Sequence, residues 1–458
     1  MFSQELDFTD METRLARWLQ AKMPEARGVA VSGLKRASAG FSNETFFFDA
    51  AWQDEEGHKA EPTVLRRQPR DVVLFPDYDL EKQCRIMERL ANTDVPVPRV
   101  HWFEHDTSVL GSPFYLMSKI DGEIAPEVPP YHSFGLFYDA TPERRRNLCL
   151  SGLEVAARIH LLDWKRLGFG FLGAPSPATT EALDRELDYY ENFLEWAREE
   201  PQPILQAALD YLRENKFVPE RIALCWGDCR VGNMIFDDND EVVGVLDWEM
   251  AYLGNPEADL GWFLFMDWQH SEGYGIPRLA GFPSHEEIVS HWENSTGWKV
   301  ENIFYHEVLA AFKFGVIMVK VVKNMKANKT PIAEDWDVNN PATRRLASLL
   351  ELPPPGAQRQ RTNIDEITAV IQTHITGPGG FSWYLVAEKG VGTRHEGTTD
   401  NPDAMTTMSF ETWKGIQSGE LNRVEAFMGG LIQVEGDVTL LMQFEDMLNR
   451  LGGSAPEA

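Results

Sequence analysis

The chain has 458 residues, 43% of them hydrophobic, and a formal net charge of −28, so two to three domains with packed cores are expected. That charge excludes docking on nucleic acid or on an anionic bilayer by electrostatics, and no apolar run approaches the roughly 20 residues that span a membrane. Four cysteines are too few for a disulfide scaffold, and Cys225 and Cys229 read as core thiols of a reducing cytosol rather than a zinc site.

Residues 4–25 are predicted to form an amphipathic helix, acidic at its start and unlike a signal peptide. "LKRASAGFSNETFFFDAAW" (34–52) reads as a strand, a glycine turn and a second strand, and "PTVLRRQP" (62–69) as a third. "LEKQCRIMERLANT" (80–93) has apolar residues at helical spacing, and "VPVPRVHWFEHD" and "SPFYLMSKIDGE" supply two more strands. From about 125 to 350 long helical patterns dominate, interrupted at 222–250, where "EVVGVLDW" reads as a short strand. "LPPPGAQRQR" (352–361) is a linker by composition. About 90 residues follow with their own helix–strand texture, "WYLV", "TTMSF" and "LIQVEGD" as strands, "FETWKGIQSG" and "NRVEAFMGG" as helices.

The interruption carries the chemistry. "CWGDCRVGNMIF" sets Asp228 five residues before Asn233, and "GVLDWEMAYLGNPEADLGWF" brings Asp247. Carboxylates among hydrophobic neighbours are costly unless a cation meets them. An Asp, an Asn five residues later and an Asp after a short hairpin are the parts of a phosphoryl-transfer site. Asp228 would accept the proton of the attacking hydroxyl. Asn233 and Asp247 would hold Mg2+ through oxygen, as hard cations require. Turn formation alone would explain a lone D-x(4)-N, but not the strand, turn, strand and "GNPEADLGW" that surround it.

The whole string "WGDCRVGNMIFDDNDEVVGVLDWEMAYLGNPEADLGWF" resembles the catalytic segment of the aminoglycoside phosphotransferase family, in the style of the branch associated with acyl-CoA dehydrogenases. The resemblance covers about residues 30–350. It implies a bilobal protein-kinase-like α+β fold, a small β-rich N-lobe (1–120) and a mainly helical C-lobe (121–352), with ATP as co-substrate. Trp226 stands where that family has a histidine that braces the loop. Asp259 matches a helix aspartate that hydrogen-bonds the loop backbone. "AGFSNETF" resembles the phosphate-facing loop, where Ser42 and Asn43 would meet phosphate oxygens. On the third strand Arg66 takes the place of the kinase lysine. Alignment favours Gln83 over Glu81 as its helix partner, and the two lie on different helix faces. "FYLMSKIDGE" resembles the connection between kinase lobes, so the backbone of Ser118 and Ile120 would bond adenine beneath Met117.

After a linker at 353–361, residues 362–458 resemble the sterol-carrier-protein-2 family through "NPDAMTTMSFETWKGIQSGELN" and "GGLIQVEGD". That resemblance implies a small α+β lipid-carrier-like domain, with five strands and helices around an apolar tunnel. Trp383, Leu385, Met408, Phe410, Trp413 and Phe427 would line the tunnel or fill a solid core. Together the two resemblances imply a cytoplasmic Mg2+- and ATP-dependent phosphotransferase acting on a hydroxyl of a lipid-like or hydroxyacyl-CoA substrate. No nucleic-acid partner and no transmembrane segment are expected, and a homodimer is left open. The alternative is a catalytically weak pseudokinase that binds or carries lipid.

Overall fold

The computed structural model describes residues 7–37, 43–69, 73–328, 330, 332–333, 335–355, 369–388, 391–418 and 431–436. Two compact units share the chain: Met1–Asn324 with Pro341–Leu352, and Met325–Asn340 with Pro353–Ala458.

The first unit opens with α1 (Phe8–Lys22), capped by the Asp7 carboxylate, which accepts from the Asp10 N–H. Met11, Leu15, Trp18 and Leu19 fall on one face and are buried there. Strands β1 (Arg27–Arg36), β2 (Glu44–Asp54) and β3 (Gly57–Arg67) form an antiparallel meander. In β2, Phe46, Phe48 and Ala50 alternate into the core. Helix α2 (Leu80–Leu90) follows, capped by Asp79, and then β4 (Val100–Glu104), the single turn α3 (Thr107–Leu110) and β5 (Phe114–Ser118). The sheet order is β1-β2-β3-β5-β4, so β5 lies beside β3 and carries the chain out toward the helices. Here β3 begins at Gly57, five residues before the predicted start, because its polar first half is held only by pairing with β2.

The helical part of the unit starts with β6 (Glu123–Ile124), α4 (Leu136–Asp139), α5 (Pro142–Leu161), α6 (Glu181–Ala197) and α7 (Pro203–Glu214). Short strands β7 (Ala223–Cys225), β8 (Met234–Phe236), β9 (Val242–Val245) and β10 (Tyr252–Gly254) follow. They make two small sheets, β6-β8-β9 and β10-β7. Helices α8 (Glu257–Gln269), α9 (His285–Thr296), α10 (Ile303–Ala327) and α11 (Pro341–Leu349) complete the bundle. Helix α8 is buried almost all round, so its polar residues face partners inside the protein rather than water.

In the second unit β11 (Ala369–Thr376), β12 (Ser382–Glu388), β13 (Val391–Glu396), β14 (Ala404–Ser409), α12 (Phe410–Ser418) and β15 (Ile432–Gly436) make, among the described residues, a five-stranded sheet, order β13-β12-β11-β14-β15, with helix α12 following β14. The β11–β14 pair is parallel and the rest antiparallel. Two strands, β11 and β13, were not predicted. The first is central and buried without alternation; the second is a polar edge. Leu385 and Met408 are buried, whereas Trp383, Phe410 and Trp413 are half-buried. Phe427 and the predicted helix "NRVEAFMGG" lie outside the described residues. No helix among the described residues is long and apolar enough to cross a membrane.

Candidate active site

Strand β7 delivers the chain to a loop that only glycine can turn. Gly227 has φ +86°, and a Cβ there would stand 2.2 Å from the Met250 carbonyl oxygen. Asp259, in the first turn of α8, accepts from the N–H groups of Trp226 (2.6 Å) and Gly227 (2.9 Å). Behind it the Trp292 indole donates to His160 Nδ1 (3.0 Å), which fixes the tautomer in which His160 Nε2 donates to Asp259 (3.0 Å). The Trp226 indole N–H donates to the carbonyls of Leu246 (2.9 Å) and Asp247 (3.1 Å). Trp226 thus ties the 226–228 turn to the segment that carries Asp247, by a donor where the family pattern has an imidazole.

Asp228 is 8% exposed. Its Oδ1 accepts from Trp262 Nε1 (2.9 Å) and Arg230 Nε (2.8 Å), and its Oδ2 from Asn233 Nδ2 (2.7 Å). Burial, and then the Asp247 carboxylate, push its pKa up to about 7, against the donation from Asn233 and Trp262. A proton acceptor balanced near neutrality suits general-base work. The β8–β9 hairpin fixes the spacing. The Asn233 carbonyl accepts from the Leu246 N–H (2.9 Å), so Asn233 and Asp247 sit on adjoining chains. Asp247 has φ +59°, a conformation in which Asp is among the few tolerated residues.

On the sheet side, Arg66 Nη2 lies 3.3 Å from Asp247 Oδ1, and Arg66 Nε is buried without a hydrogen-bond partner among the described residues. The expected pairing of Arg66 with Gln83 is not formed. Gln83 is buried and accepts from the Tyr115 hydroxyl (3.3 Å), and an uncharged amide cannot compete with a carboxylate for a guanidinium. Glu81 is exposed and lies 3.8 Å from His105. Asn43 is buried and donates to Glu249 Oε2 (3.0 Å), while Lys82 donates to the Glu249 carbonyl (2.9 Å). Ser42 lies outside the described residues. Met117 is buried on β5. The Ser118 N–H donates to the Arg99 carbonyl (2.9 Å). The Ile120 side chain packs toward Gly244.

These residues fit a metal and a triphosphate. Among the described residues no three His, Cys, Asp or Glu side chains cluster as a metal site. Asn233 and Asp247 offer two oxygen ligands, the number suited to a hard cation that shares phosphate oxygens. Arg66 Nε, which has no partner among the described residues, is a donor that suits an anion. Sequence reading missed Trp262 and Arg230, both bonded to Asp228. Their signal was position: Trp262 closes "NPEADLGW", and Arg230 is two residues past Asp228. Arg230 also pairs with Glu127. Beside α2 lies a cavity of about 440 Å3, lined by Lys82, Glu186, Tyr189, Tyr190, Glu249 and Tyr252 among others.

A five-stranded sheet with helix α2 inserted between β3 and β4, joined to a helical part that holds Asp228, Asn233 and Asp247 on loops, is the protein-kinase-like fold. Residues 33–284, more than half of the chain, match the profile of the phosphotransferase enzyme family, and the chain belongs to that family. Residues 348–449 match the SCP-2 sterol transfer family. The chain is 26% identical over 303 residues to the probable acyl-CoA dehydrogenase IBR3 of Arabidopsis thaliana, covering 62% of this chain and 35% of the relative. It is 31% identical over 222 residues to acyl-CoA dehydrogenase family member 10 of Mus musculus, covering 48% and 19%. It therefore spans about a third or less of these relatives. Among solved structures, a putative aminoglycoside phosphotransferase from Ralstonia eutropha has a TM-score of 0.55 at 23% identity, over 74% of this chain and 95% of that one, a likeness of fold.

Proposed function

We propose that the protein transfers the γ-phosphoryl group of ATP, with Mg2+, to a hydroxyl of a small lipid-like or hydroxyacyl-CoA acceptor in the cytoplasm. The observation that carries this is the setting of Asp228: buried, oriented by three donors, poised near neutrality and adjoining Asn233 and Asp247. Asp228 takes the acceptor's proton as the oxygen attacks the γ-phosphorus and the bond to the β–γ bridging oxygen breaks. Mg2+, held by Asn233 and Asp247, would neutralise charge on the phosphate oxygens. Arg66 and Arg230 supply positive charge on two sides of the carboxylates. Asn43 would meet the phosphates, the role also expected of Ser42; Met117 and the backbone of Ser118 and Ile120 would frame the base; Trp226, Asp259 and Gln83 support the loop and helix. The acyl acceptor is argued from the kinship to acyl-CoA dehydrogenase family proteins and from the SCP-2 match. In this reading residues 1–120 and 121–352 are the two lobes, 353–361 the linker, and 362–458 the domain that holds the acyl chain.

A second reading, a weak pseudokinase that carries lipid, draws on the Arg66–Asp247 pair and on the amide of Gln83 where an acid would anchor Arg66. Incubation with ATP and Mg2+ over a panel of hydroxyacyl-CoAs, hydroxy fatty acids and sterols separates the two. A mass gain of one phosphoryl group supports the first, and none across the panel supports the second.

A further inference from the structure

Lys313, near the middle of α10, is 4% exposed. An ammonium taken out of water is costly unless its surroundings replace the lost solvation. One carboxylate does so, Glu186 of α6, with Nζ–Oε2 at 3.0 Å. Aromatic rings do the rest: Nζ stands over Tyr190 (4.9 Å), Tyr252 (5.1 Å) and Trp262 (5.6 Å). Four elements, α6, β10, α8 and α10, therefore converge on one buried charge.

Trp262 is the member of that box that faces the chemistry. Its ring meets the ammonium and packs at a tilt on Phe265 and Phe314 (centroids 6.4 and 6.1 Å apart), and its N–H donates to Asp228 Oδ1 at 2.9 Å. We propose that Lys313 is a positioning residue: anchored by Glu186, its ammonium holds the Trp262 indole in the one orientation from which the N–H aims the Asp228 carboxylate at the acceptor hydroxyl. With Oδ1 pinned by Trp262, the carboxylate cannot swing about its Cβ–Cγ bond as the proton is taken. A cation on the ring face also draws density from the indole and strengthens its N–H as a donor. Glu186, Tyr190 and Tyr252 of the box also line the cavity beside α2. This rests on the reading of Asp228 as the proton acceptor.

The test combines a spectroscopic and a kinetic readout. In the full chain carrying 15N-labelled tryptophan, the Trp262 indole N–H signal is assigned by its loss in Trp262→Phe. Asp228→Asn should move that signal, and Lys313→Met should move it too and speed its exchange with solvent. Should Lys313→Met fail to fold, Glu186→Gln, which frees the ammonium and keeps the rings, should shift the same signal. In turnover, Trp262→Phe and Lys313→Met should each lower kcat about ten- to a hundredfold with KM for ATP unchanged, and the double variant should be no worse than either alone. Lys313→Arg should restore most of the rate. A Trp262 signal unmoved by Lys313→Met and by Glu186→Gln overturns the proposal, as do additive losses in the double variant. An active Asp228→Asn protein would instead sink the proton-acceptor reading. An inactive Asp228→Asn beside a normal Trp262→Phe would sink only the positioning role.

Discussion

Asp228 is asked to be both buried and ionisable, and the donors around it reconcile the two. Asn233, Trp262 and the Lys313 charge favour the charged form, while burial and Asp247 oppose it. An amide cannot accept the hydroxyl proton, so Asp228→Asn should abolish phosphoryl transfer and leave nucleotide affinity within a few-fold, as read by turnover and by calorimetric titration with a non-hydrolysable ATP analogue. Stability supplies a second prediction. The folded-state pKa of about 7 lies above the ordinary 3.8, so the fold holds this proton more tightly than the unfolded chain does. That contribution is full below about pH 4 and is lost as pH rises to about 7. In metal-free buffer, the stability of Asp228→Asn relative to wild type should therefore rise on the order of 3 kcal/mol from pH 4 to pH 8, measured by urea unfolding. A constant difference across that range would contradict the assignment.

At the scale of elements, the site is a loop pinned from both ends. Gly227 is the turn and Asp259 the clasp. Gly227→Ala would need a left-handed alanine and a clash with the Met250 carbonyl, so it should cost about 3 kcal/mol or more and remove activity, seen in the melting temperature and in turnover. Strand β3 presents Arg66 to Asp247. Loss of that fork in Arg66→Ala should raise the KM for ATP tenfold or more, with Arg66→Lys intermediate, because a point charge cannot bridge two oxygens. Equal kinetics for wild type and Arg66→Ala would return this residue to a purely structural pairing.

Much of this was legible. The strand–strand–strand–helix–strand–strand order followed from alternation and turn residues, and the loop from the unusual placement of Asp228, Asn233 and Asp247 in apolar sequence. The partner of Arg66 was not legible. A helix position can be read from spacing, but whether its amide turns to Arg66 or to Tyr115 depends on packing across β5. Trp262 and Lys313 were hidden for a related reason: on helices buried nearly all round, a tryptophan or a lysine gives no periodic signal of which neighbour it serves.

At the scale of the molecule, the chain is two units, each with its own five-stranded sheet, and Met325–Asn340 groups with the second although it precedes Leu352. The three prolines at 353–355 favour an extended spacer, and about 90 residues suffice for a small domain. A chain ending at Leu352 should therefore fold and phosphorylate a short hydroxy compound at near-normal rate, losing efficiency on long-chain acceptors through a higher KM. Residues 362–458 alone should bind a fluorescent fatty acid. Equal efficiency on long chains after truncation would leave the second unit without a role in presenting substrate.

The proposed phosphoryl transfer is open to one direct measurement: transfer of the labelled γ-phosphate of ATP, with and without Mg2+, to a panel of hydroxyacyl-CoAs by the wild-type protein and by Asp228→Asn. The geometry predicts Mg2+-dependent label on an acceptor hydroxyl with wild type and none with Asp228→Asn, which still binds nucleotide. Label that never leaves ATP in the wild-type reaction, or that leaves it as fast with Asp228→Asn, would contradict it.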